Sequence, residues 1–426
     1  MDYEVIIVGG RPTGASLAAR LGARGIKVLV VDRATFPSLP AVPSSPALHA
    51  GAMKLVDEIG VAEASYGHPD AFMRTVRMDM AGIFQVEIPV PRMSGRAYSC
   101  GIDRITFDDA LWKNLARFPS VERREGFHVT ELLREGDRVI GVEGGPPGEA
   151  RQRITAGCVV GADGRFSFVA RRAGAEVMLE DDVHTSTVYY ADWQGARAGE
   201  PHPFGYVYAT ARGLDILMFA MPDGRLCVNT HARSDRVQID GDAERYYLST
   251  LRSLGPVWQK LERGEMVTPV VGVKKIGNGY RRASGPGWVL AGDAVHYKDP
   301  VDGQGIYDAL IGAKLLDRAI AVWCAGARTW DEAMSEYTIA LWAATHPMFL
   351  ATTGRLRREL YEEPPPAVIK TMIRWTLTDP VYQDTFLRVI GRDLPAEAMS
   401  SRAMMAGAIA RGLGRDIAGA LARLRG

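Results

Sequence analysis

Few cysteines, almost no net charge and the lack of a long apolar run each exclude a class of protein for this 426-residue sequence. None of its 4 cysteines stands in C-x-x-C spacing, so we expect neither a disulfide framework nor a metal site. A formal net charge of +1 gives no electrostatic reason to expect a nucleic-acid partner. Because no apolar run approaches the roughly 20 residues that span a bilayer and no signal-peptide pattern is present, we expect a cytoplasmic protein without a membrane span.

The remaining composition is that of a globular protein, with 47% hydrophobic and 24% charged residues. The chain is too long for one compact core, so two or three domains are expected. In the N-terminal part, apolar strands alternate with helices, whereas residues 185–230 form short aromatic-rich strands typical of an antiparallel sheet. Beyond residue 329 the pattern is helical, interrupted only by EEPPPA.

The most informative stretch lies at the N-terminus. Val5–Val8 is an apolar β-branched run typical of a buried strand, and Gly9 and Gly14 are the outer glycines of a G-x-G-x-x-G pattern that opens a helix. A second apolar strand, Lys27–Val31, ends on Asp32. A strand, glycine turn, helix, strand and acid in this order are typical of dinucleotide binding, in which the helix start binds a pyrophosphate and the acid a ribose. The pattern alone fits NAD, FAD or another ADP-containing ligand.

One position departs from the pattern. Arg11 stands where the second glycine of the loop is expected, with a long side chain where backbone should nearly touch phosphate. Two interpretations remain open: Arg11 faces solvent and only its main chain matters, or it pairs with the pyrophosphate.

Two further segments narrow the choice of ligand. Residues 161–174 (GADGRFSFVARRAG) predict a strand, an Asp163 turn and a helix. Residues 292–313 (GDAVHYKDPVDGQGIYDALIGA) predict a strand, a turn at Asp293 and a glycine-rich helix start at 303–305. Asp293 can accept hydrogen bonds from a polyol, and the helix start is a preset anion site that suits the negative N1–O2 edge of a reduced flavin.

With these three motifs, the chain resembles the class A FAD-dependent monooxygenases of the para-hydroxybenzoate hydroxylase-like fold. That superfamily also contains geranylgeranyl reductases and flavin-dependent halogenases. The resemblance spans about residues 3–325, with the motifs in the family's order. The halogenase branch is disfavoured because the motif W-x-W-x-I-P is absent and no lysine lies between residues 60 and 100.

The resemblance implies which residues bind FAD. Arg104 resembles the arginine that reaches the diphosphate or ribityl region, Val129 stands where backbone reads adenine, and Asp163 matches the acid of the D-G motif. Asp293 resembles the ribityl ligand. The implied FAD contacts are Gly9, Gly10, Arg11, Gly14, Asp32, Arg33, Arg104, Val129, Asp163, Gly292, Asp293, Pro300, Gly303, Gln304 and Gly305.

The resemblance also exposes a missing charge. Many relatives place a phosphate-neutralising arginine in the loop before the helix that starts near residue 50, whereas this chain has Ser44, Ser45 and Pro46 there. We therefore hypothesise that Arg11 supplies the missing positive charge.

Candidates for the substrate pocket come from the aromatic-rich strands, which the resemblance places over the flavin. Because side chains alternate across a sheet, about half of these residues are expected to be structural. The pocket candidates are Tyr190, Trp193, Tyr206, Tyr208, Phe219 and Asn229.

The flavin motif contains further titratable residues. His296 is the one candidate for acid–base catalysis, although a packing role is favoured for it. Lys298 and Asp299 are expected to pair with each other on a turn, and Asp302 to face solvent.

The predicted fold class is α/β (α+β overall), in which a Rossmann-like FAD-binding domain is interleaved with an antiparallel-sheet substrate domain and followed by C-terminal helices. The predicted boundaries are 1–70, 98–183 and 272–330 for the FAD-binding domain, 71–97 and 184–271 for the substrate domain, and 331–426 for the C-terminal helices. The sequence allows a homodimer and does not determine the oligomeric state.

The resemblance implies a flavoprotein oxidoreductase with non-covalent FAD and transiently bound NAD(P)H. It would use O₂, through a flavin C4a-hydroperoxide, to hydroxylate or epoxidise an apolar, aromatic small molecule. The first alternative is a C=C reductase of the geranylgeranyl-reductase kind. A flavin-binding scaffold without turnover is the second, and the complete D-G and G-D segments argue against it.

Overall fold

The computed structural model describes residues 1–40, 46–196, 202–239 and 241–425. These residues form an α/β fold, as the sequence predicts, with two large β-sheets, a small third sheet and helices packed against them. The first large sheet is parallel around the N-terminal strand, and the second is mainly antiparallel. The chain enters each large sheet more than once, so the two are interleaved along the sequence. The numerical domain boundaries remain predictions.

The first sheet is centred on the N-terminal strand, whose Val5, Ile6 and Ile7 are fully buried. This strand pairs in parallel with Gln152–Gly161 on one side and Val28–Val31 on the other. The loop after it therefore lies at the carboxyl edge of the sheet, where ligands of doubly wound folds bind. The eight strands are Tyr3–Val8, Val28–Val31, Val121–Arg124, His128–Glu135, Arg138–Gly145, Gln152–Gly161, Ser284–Gly285 and Trp288–Leu290.

Helices rich in small residues pack closely around this sheet. A Cβ atom on Gly14 would lie only 1.8 Å from the carbonyl oxygen of Gly9, so only glycine lets the first helix start this close to the strand. The helices around the sheet are Pro12–Ala23, Ala50–Asp57, Arg104–Asn114, Phe168–Ala173 and Gly305–Cys324. The first and the last of them pack against each other.

The second sheet has nine strands and two faces of different character. One face packs on the helices Ala243–Ser253 and Gly255–Leu261 in a core that contains Tyr247 and Leu251. The other face lines a cavity. The strands are Thr75–Met80, Phe84–Pro89, Val177–Gln194, Phe204–Ala209, Leu214–Ala220, Leu226–Arg233, Glu265–Met266, Val271–Arg281 and His296–Tyr297.

A small sheet joins the two halves, and the C-terminal helices close one side. The small sheet consists of Ala47–Leu48, Phe72–Met73 and Ser99–Gly101. The C-terminal helices are Trp330–Leu356, Pro366–Val368, Arg374–Leu377, Pro380–Ile390 and Arg402–Arg425, with π-helical turns at Arg357–Tyr361 and Ile369–Ile373. Across the described residues, no helix has both the length and the apolar character to cross a membrane.

Candidate active site

A cavity of about 540 Å³ opens at the carboxyl edge of the parallel sheet, within the size range of small-molecule sites. Residues from all three sequence motifs meet there, although they are far apart along the chain. The predicted FAD residues that line it are Gly9, Arg11, Asp32, Arg33, Arg104, Val129, Asp163, Asp293, Pro300, Gly303 and Gly305. The other four, Gly10, Gly14, Gly292 and Gln304, are not among the lining residues.

The glycine loop forms a cradle that no larger residue could build. Gly9 adopts φ +103°, and a Cβ there would lie 2.4 Å from the carbonyl oxygen of Ala162. The backbone N–H of Gly10 donates to Asp32 at 2.7 Å, and Asp32 also accepts from the N–H of Ala34 at 2.8 Å. Asp32 thus fixes the loop and also lines the cavity.

Arg11 matches neither of its two interpretations fully. Its guanidinium donates to the carboxylate of Asp108 at 2.5 Å and to the carbonyl oxygens of Ser38 and Leu39 at 3.1 and 2.9 Å. Arg11 is therefore held in place by protein contacts while it lines the cavity. Residues 44 and 45, on which the missing-charge argument partly depends, lie outside the described residues, whereas Pro46 is buried.

A second arginine, Arg104, pairs with Asp108. Arg104 binds the same carboxylate through two hydrogen bonds of 3.1 and 2.9 Å, and the Asp108 side chain is fully buried. Two guanidinium groups thus share one carboxylate at the cavity wall, which leaves an excess of one positive charge. This excess, together with the N-terminus of the helix Pro12–Ala23, suits the phosphates of a dinucleotide.

The two acids of the other motifs differ in their contacts. Asp163 accepts hydrogen bonds from the N–H groups of Phe168 and Val169 at 2.6 and 3.1 Å, so it caps the start of the following helix. Burial raises the pKa of its carboxyl, and the hydrogen bond from Ser167 opposes that shift. Asp293 lines the cavity, and its carboxylate makes no hydrogen bond to any residue that the structure describes.

The residues of the flavin motif take part in buried ion pairs that differ from those predicted. Lys298 and Asp299 do not pair with each other: Lys298 lies 2.6 Å from Asp308, and Asp299 lies 3.0 Å from the imidazole of His231. The reason is that successive side chains leave this extended segment in opposite directions. Burial opposes a charge on His231, but Asp299 outweighs it and raises the pKa of the imidazole.

Asp302 is buried, contrary to the prediction of solvent exposure. Its carboxylate accepts hydrogen bonds from Arg355 and Thr352, both at 2.7 Å. These partners come from the C-terminal helix Trp330–Leu356. A helix so distant in sequence could not be placed here from the local pattern.

His296 is buried and also belongs to the lining of the larger cavity. Its ring stacks on Tyr280 with centroids 5.1 Å apart, and its Nε2 lies 3.3 Å from Asp308. Gln304 is fully buried and donates to the carbonyl oxygen of Ile390 at 2.9 Å. Both residues therefore tie the flavin motif to the surrounding structure.

Four residues of this site escaped the sequence reasoning, namely Asp308, Arg392, His231 and Arg355. Asp308 carried a usable signal, because an acid stands on the apolar face of a helix otherwise built from small and aliphatic residues. The other three are separated from their partners by 53 to 84 residues, and no local pattern could connect them.

A second cavity of about 180 Å³ lies on the open face of the antiparallel sheet. Val273, Ile276, Pro300 and Gly303 belong to the walls of both cavities, so the two adjoin at the flavin motif. Across from the sheet, the C-terminal helix Pro380–Ile390 contributes three apolar residues, Phe386, Leu387 and Ile390.

The six pocket candidates divide between the two faces of the sheet. The cross-strand pairs Tyr190–Asn229, Asn229–Leu217 and Gly205–Phe219 place Tyr190, Asn229 and Phe219 on the pocket face. Trp193 and Tyr208 lie in the core on the opposite face, so their assignment to the pocket was wrong.

Tyr206 is among the residues that line the pocket and also belongs to the core on the opposite face. It alternates with Gly205 and Val207 along its strand, its ring belongs to the helix-covered core, and Lys260 lies over that ring at 4.9 Å. Its assignment to the pocket therefore stays a prediction. Pleat alternation explains the errors at Trp193 and Tyr208, because an aromatic strand does not reveal which of its faces is covered.

Comparisons with known proteins identify the family of the chain. Residues 2–338 match the family model described as FAD binding domain. The chain is 26% identical over 346 residues to a digeranylgeranylglycerophospholipid reductase of Methanocella arvoryzae, covering 79% of this chain and 82% of that protein. It is also 26% identical over 343 residues to a 3-(3-hydroxy-phenyl)propionate/3-hydroxycinnamic acid hydroxylase of Mycolicibacterium gilvum, covering 79% of this chain but only 57% of that protein.

Among solved structures, the flavin-dependent brominase Bmp2 superposes with a TM-score of 0.77 at 16% identity, covering 92% of this chain and 94% of the brominase. At that identity the likeness concerns the fold alone. The glycine cradle, the carboxylate of Asp32 in the cavity wall and the positive excess at Arg11 and Arg104 fit the ADP half of FAD. The chain belongs to the FAD-binding domain family and is a flavoprotein oxidoreductase.

Proposed function

We propose that this protein is an NAD(P)H-dependent FAD monooxygenase that uses O₂ to hydroxylate or epoxidise a compact, apolar, aromatic molecule. The observation that carries the proposal is the shared wall of the two cavities. Pro300 and Gly303 line both of them, so a substrate in the smaller cavity lies next to the reactive end of a cofactor in the larger one. The resemblance to class A hydroxylases and the hydroxylase relative support the same reaction class.

The chain's own contribution is binding, orientation and exclusion of water. When bound, FAD supplies the redox and oxygen chemistry. Tyr190, Phe219 and Leu217 offer an apolar surface to the substrate, and Asn229 offers a polar side chain on the same face. The helix Pro380–Ile390 covers the pocket with Phe386 and Ile390, and this cover keeps water from the reacting atoms.

No residue is assigned as a catalytic acid or base. His296, the candidate from the sequence, has its Nε2 occupied by Asp308 and its ring by Tyr280. These contacts support a packing role. NAD(P)H is proposed as a transient electron donor without a nucleotide-binding domain of its own.

A second function, reduction of a C=C bond, is favoured by the reductase relative, which this chain matches over 82% of that protein's length. The size of the substrate cavity argues against a long isoprenoid chain. About 180 Å³ is below the roughly 300 to 1,000 Å³ typical of drug-sized ligand sites and suits a single ring better.

The test is a screen of single-ring phenols, benzoates and cinnamates against the FAD-loaded protein, scored by acceleration of NAD(P)H consumption. Each hit is repeated without O₂. We expect faster reduction of the cofactor in both cases, but continued turnover and a product heavier by one oxygen only with O₂. Continued anaerobic turnover with a saturated product would replace the proposal by the reductase. If no compound in either arm accelerates NAD(P)H consumption, the single-ring substrate class is wrong.

A further inference from the structure

A compact cluster of titratable side chains lies at the flavin motif, and its members His296, Lys298 and Asp308 line the larger cavity. The carboxylate of Asp308 is 2.6 Å from the ammonium group of Lys298, 2.6 Å from the guanidinium of Arg392 and 3.3 Å from Nε2 of His296. All four side chains are at least nine-tenths buried, with Arg392 the most exposed at 9%. One carboxylate therefore serves two buried cations.

Arg392 is held in place by several contacts. Its Nε donates to Gln304 at 2.6 Å, and its guanidinium lies 4.7 Å from the ring of Tyr307. Its backbone adopts φ +60°, a conformation that side-chain-bearing residues rarely adopt unless the surroundings impose it. Arg392 lies outside residues 2–338, the part that matches the family model, so this cation comes from the C-terminal helical region.

The charge states follow from these contacts. An arginine stays protonated in proteins. Burial raises the pKa of the Asp308 carboxyl, but Lys298 and Arg392 outweigh burial and hold that pKa well below its usual range. Arg392 and Asp308 thus form a neutral pair, and Lys298 is the surplus cation. Burial lowers the pKa of the Lys298 ammonium, so its charge gains stability from any further anion nearby.

The other carboxylates of the motif are bound by other partners. Asp299 pairs with His231 and accepts a hydrogen bond from Ser186. The charge of Asp302 raises the pKa of Lys298, but the Asp302 carboxylate is bound by Arg355, which also binds Glu359 at 2.6 Å. The surplus charge lies in the cavity wall, beside the N-terminus of the 20-residue helix Gly305–Cys324. The buried ammonium group and the partial positive charge at the start of this helix therefore face the same end of the cofactor cavity.

We propose that Lys298 compensates the negative charge that the cofactor gains on reduction, and that Arg392 makes Lys298 available by occupying Asp308. The inference rests on FAD binding and, for its biological use, on NAD(P)H as donor in the proposed function. A hydride carries two electrons and one proton, so its transfer to the neutral oxidised ring leaves one negative charge there and releases NAD(P)⁺. A positive charge in a low-dielectric wall stabilises the reduced form more than the oxidised form.

The test is the two-electron midpoint potential of the FAD-loaded protein, titrated anaerobically with xanthine oxidase and a reference dye. Lys298→Met and Arg392→Met should each weaken binding of reduced FAD relative to oxidised FAD by about tenfold or more, which lowers the potential by about 30 mV or more for a two-electron couple. Asp308→Asn should raise the potential, because it removes the anion. Lys298→Arg should keep it near that of the unmodified protein.

Lys314→Met is the matched control. Lys314 is a cation on the same helix as Asp308, and it pairs with Glu58 near the surface at 2.8 Å. Its potential should stay at the unmodified value. The proposal is overturned if Lys298→Met has the potential of this control, or if Asp308→Asn shifts it in the same direction as Lys298→Met. Lys298→Gln serves in place of a methionine variant that fails to fold. Electrons are supplied chemically and no organic substrate is needed, so failure here is distinct from failure of the proposed monooxygenase reaction.

Discussion

At the scale of single residues, Asp293 is the carboxylate of the cofactor cavity whose oxygens have no partner among the described residues. We propose that it binds the ribityl chain of FAD. Asp293→Ala should therefore weaken FAD binding roughly tenfold to a hundredfold, because a hydrogen bond to a charged group contributes about 1.5 to 3 kcal/mol. Titration of FAD into apo-protein measures this, with Asp182→Ala, an exposed aspartate, as the control. Unchanged affinity would rule out the assignment.

A second prediction at this scale concerns Arg11. Its guanidinium shares Asp108 with Arg104, so removal of Arg11 leaves a neutral pair where an excess positive charge stood. Arg11→Gly should bind FAD about tenfold more weakly and with less sensitivity to salt. FAD titrations at two salt concentrations check this, beside Arg20→Met, which removes an arginine that pairs with Glu58. Equal or tighter binding by the glycine variant would mean that Arg11 only anchors the segment at 38 and 39.

At the scale of elements, His49 begins the helix Ala50–Asp57 and accepts a hydrogen bond from the N–H of Ala52 at 3.3 Å. Burial, with a further contribution from Arg392, lowers the pKa of His49 from 6.5 to about 3. Below pH 6.5 the unfolded chain binds a proton that the folded chain excludes, so stability falls as pH falls, by up to about 1.4 kcal/mol per pH unit. Between pH 6.5 and 4.5, urea unfolding of His49→Asn, which keeps a capping side chain, should lose clearly less stability than the unmodified protein. Equal losses would contradict this.

The fourth prediction concerns the different roles of the two faces of the antiparallel sheet. Phe219 faces the pocket, whereas Trp193 lies in the opposite core and donates to the hydroxyl of Tyr247 at 3.0 Å. Phe219→Ala should weaken binding of the best substrate about tenfold or more, while FAD stays bound. Trp193→Phe should leave substrate binding unchanged and lower the free energy of unfolding by about 1 to 3 kcal/mol. A substrate effect of Trp193→Phe larger than that of Phe219→Ala would reverse the assignment of the faces.

Elements with a local pattern could be predicted from the sequence. The strand Tyr3–Val8, the glycine loop and the start of the helix at Gly305 all follow from patterns within about twenty residues. The covered face of the aromatic sheet could not be predicted, because it depends on the helices Ala243–Ser253 and Gly255–Leu261 docking from one side. Nor could the partner of Asp308, since Arg392 lies 84 residues away in a helical region without a motif.

At the scale of the whole molecule, the C-terminal helical region contributes residues to the candidate active site. Arg355 and Arg392 bind carboxylates of the flavin motif, and Phe386 and Ile390 line the substrate cavity. Such a region can determine both the electrostatic surroundings of the cofactor and the shape of the substrate cavity. Relatives that share the FAD-binding fold act as reductases or as hydroxylases, according to their names. Differences in this region offer a physical route to that divergence.

The central claim, that the site transfers oxygen from O₂ to a substrate beside FAD, is tested most directly with labelled oxygen. The best compound from the NAD(P)H screen is turned over under ¹⁸O₂ in ordinary water, and the product mass is measured. We predict incorporation of one ¹⁸O atom per molecule of product, and none when ¹⁶O₂ is supplied in ¹⁸O-labelled water. A product that carries no ¹⁸O from O₂, or one that gains two hydrogens instead, would contradict the account.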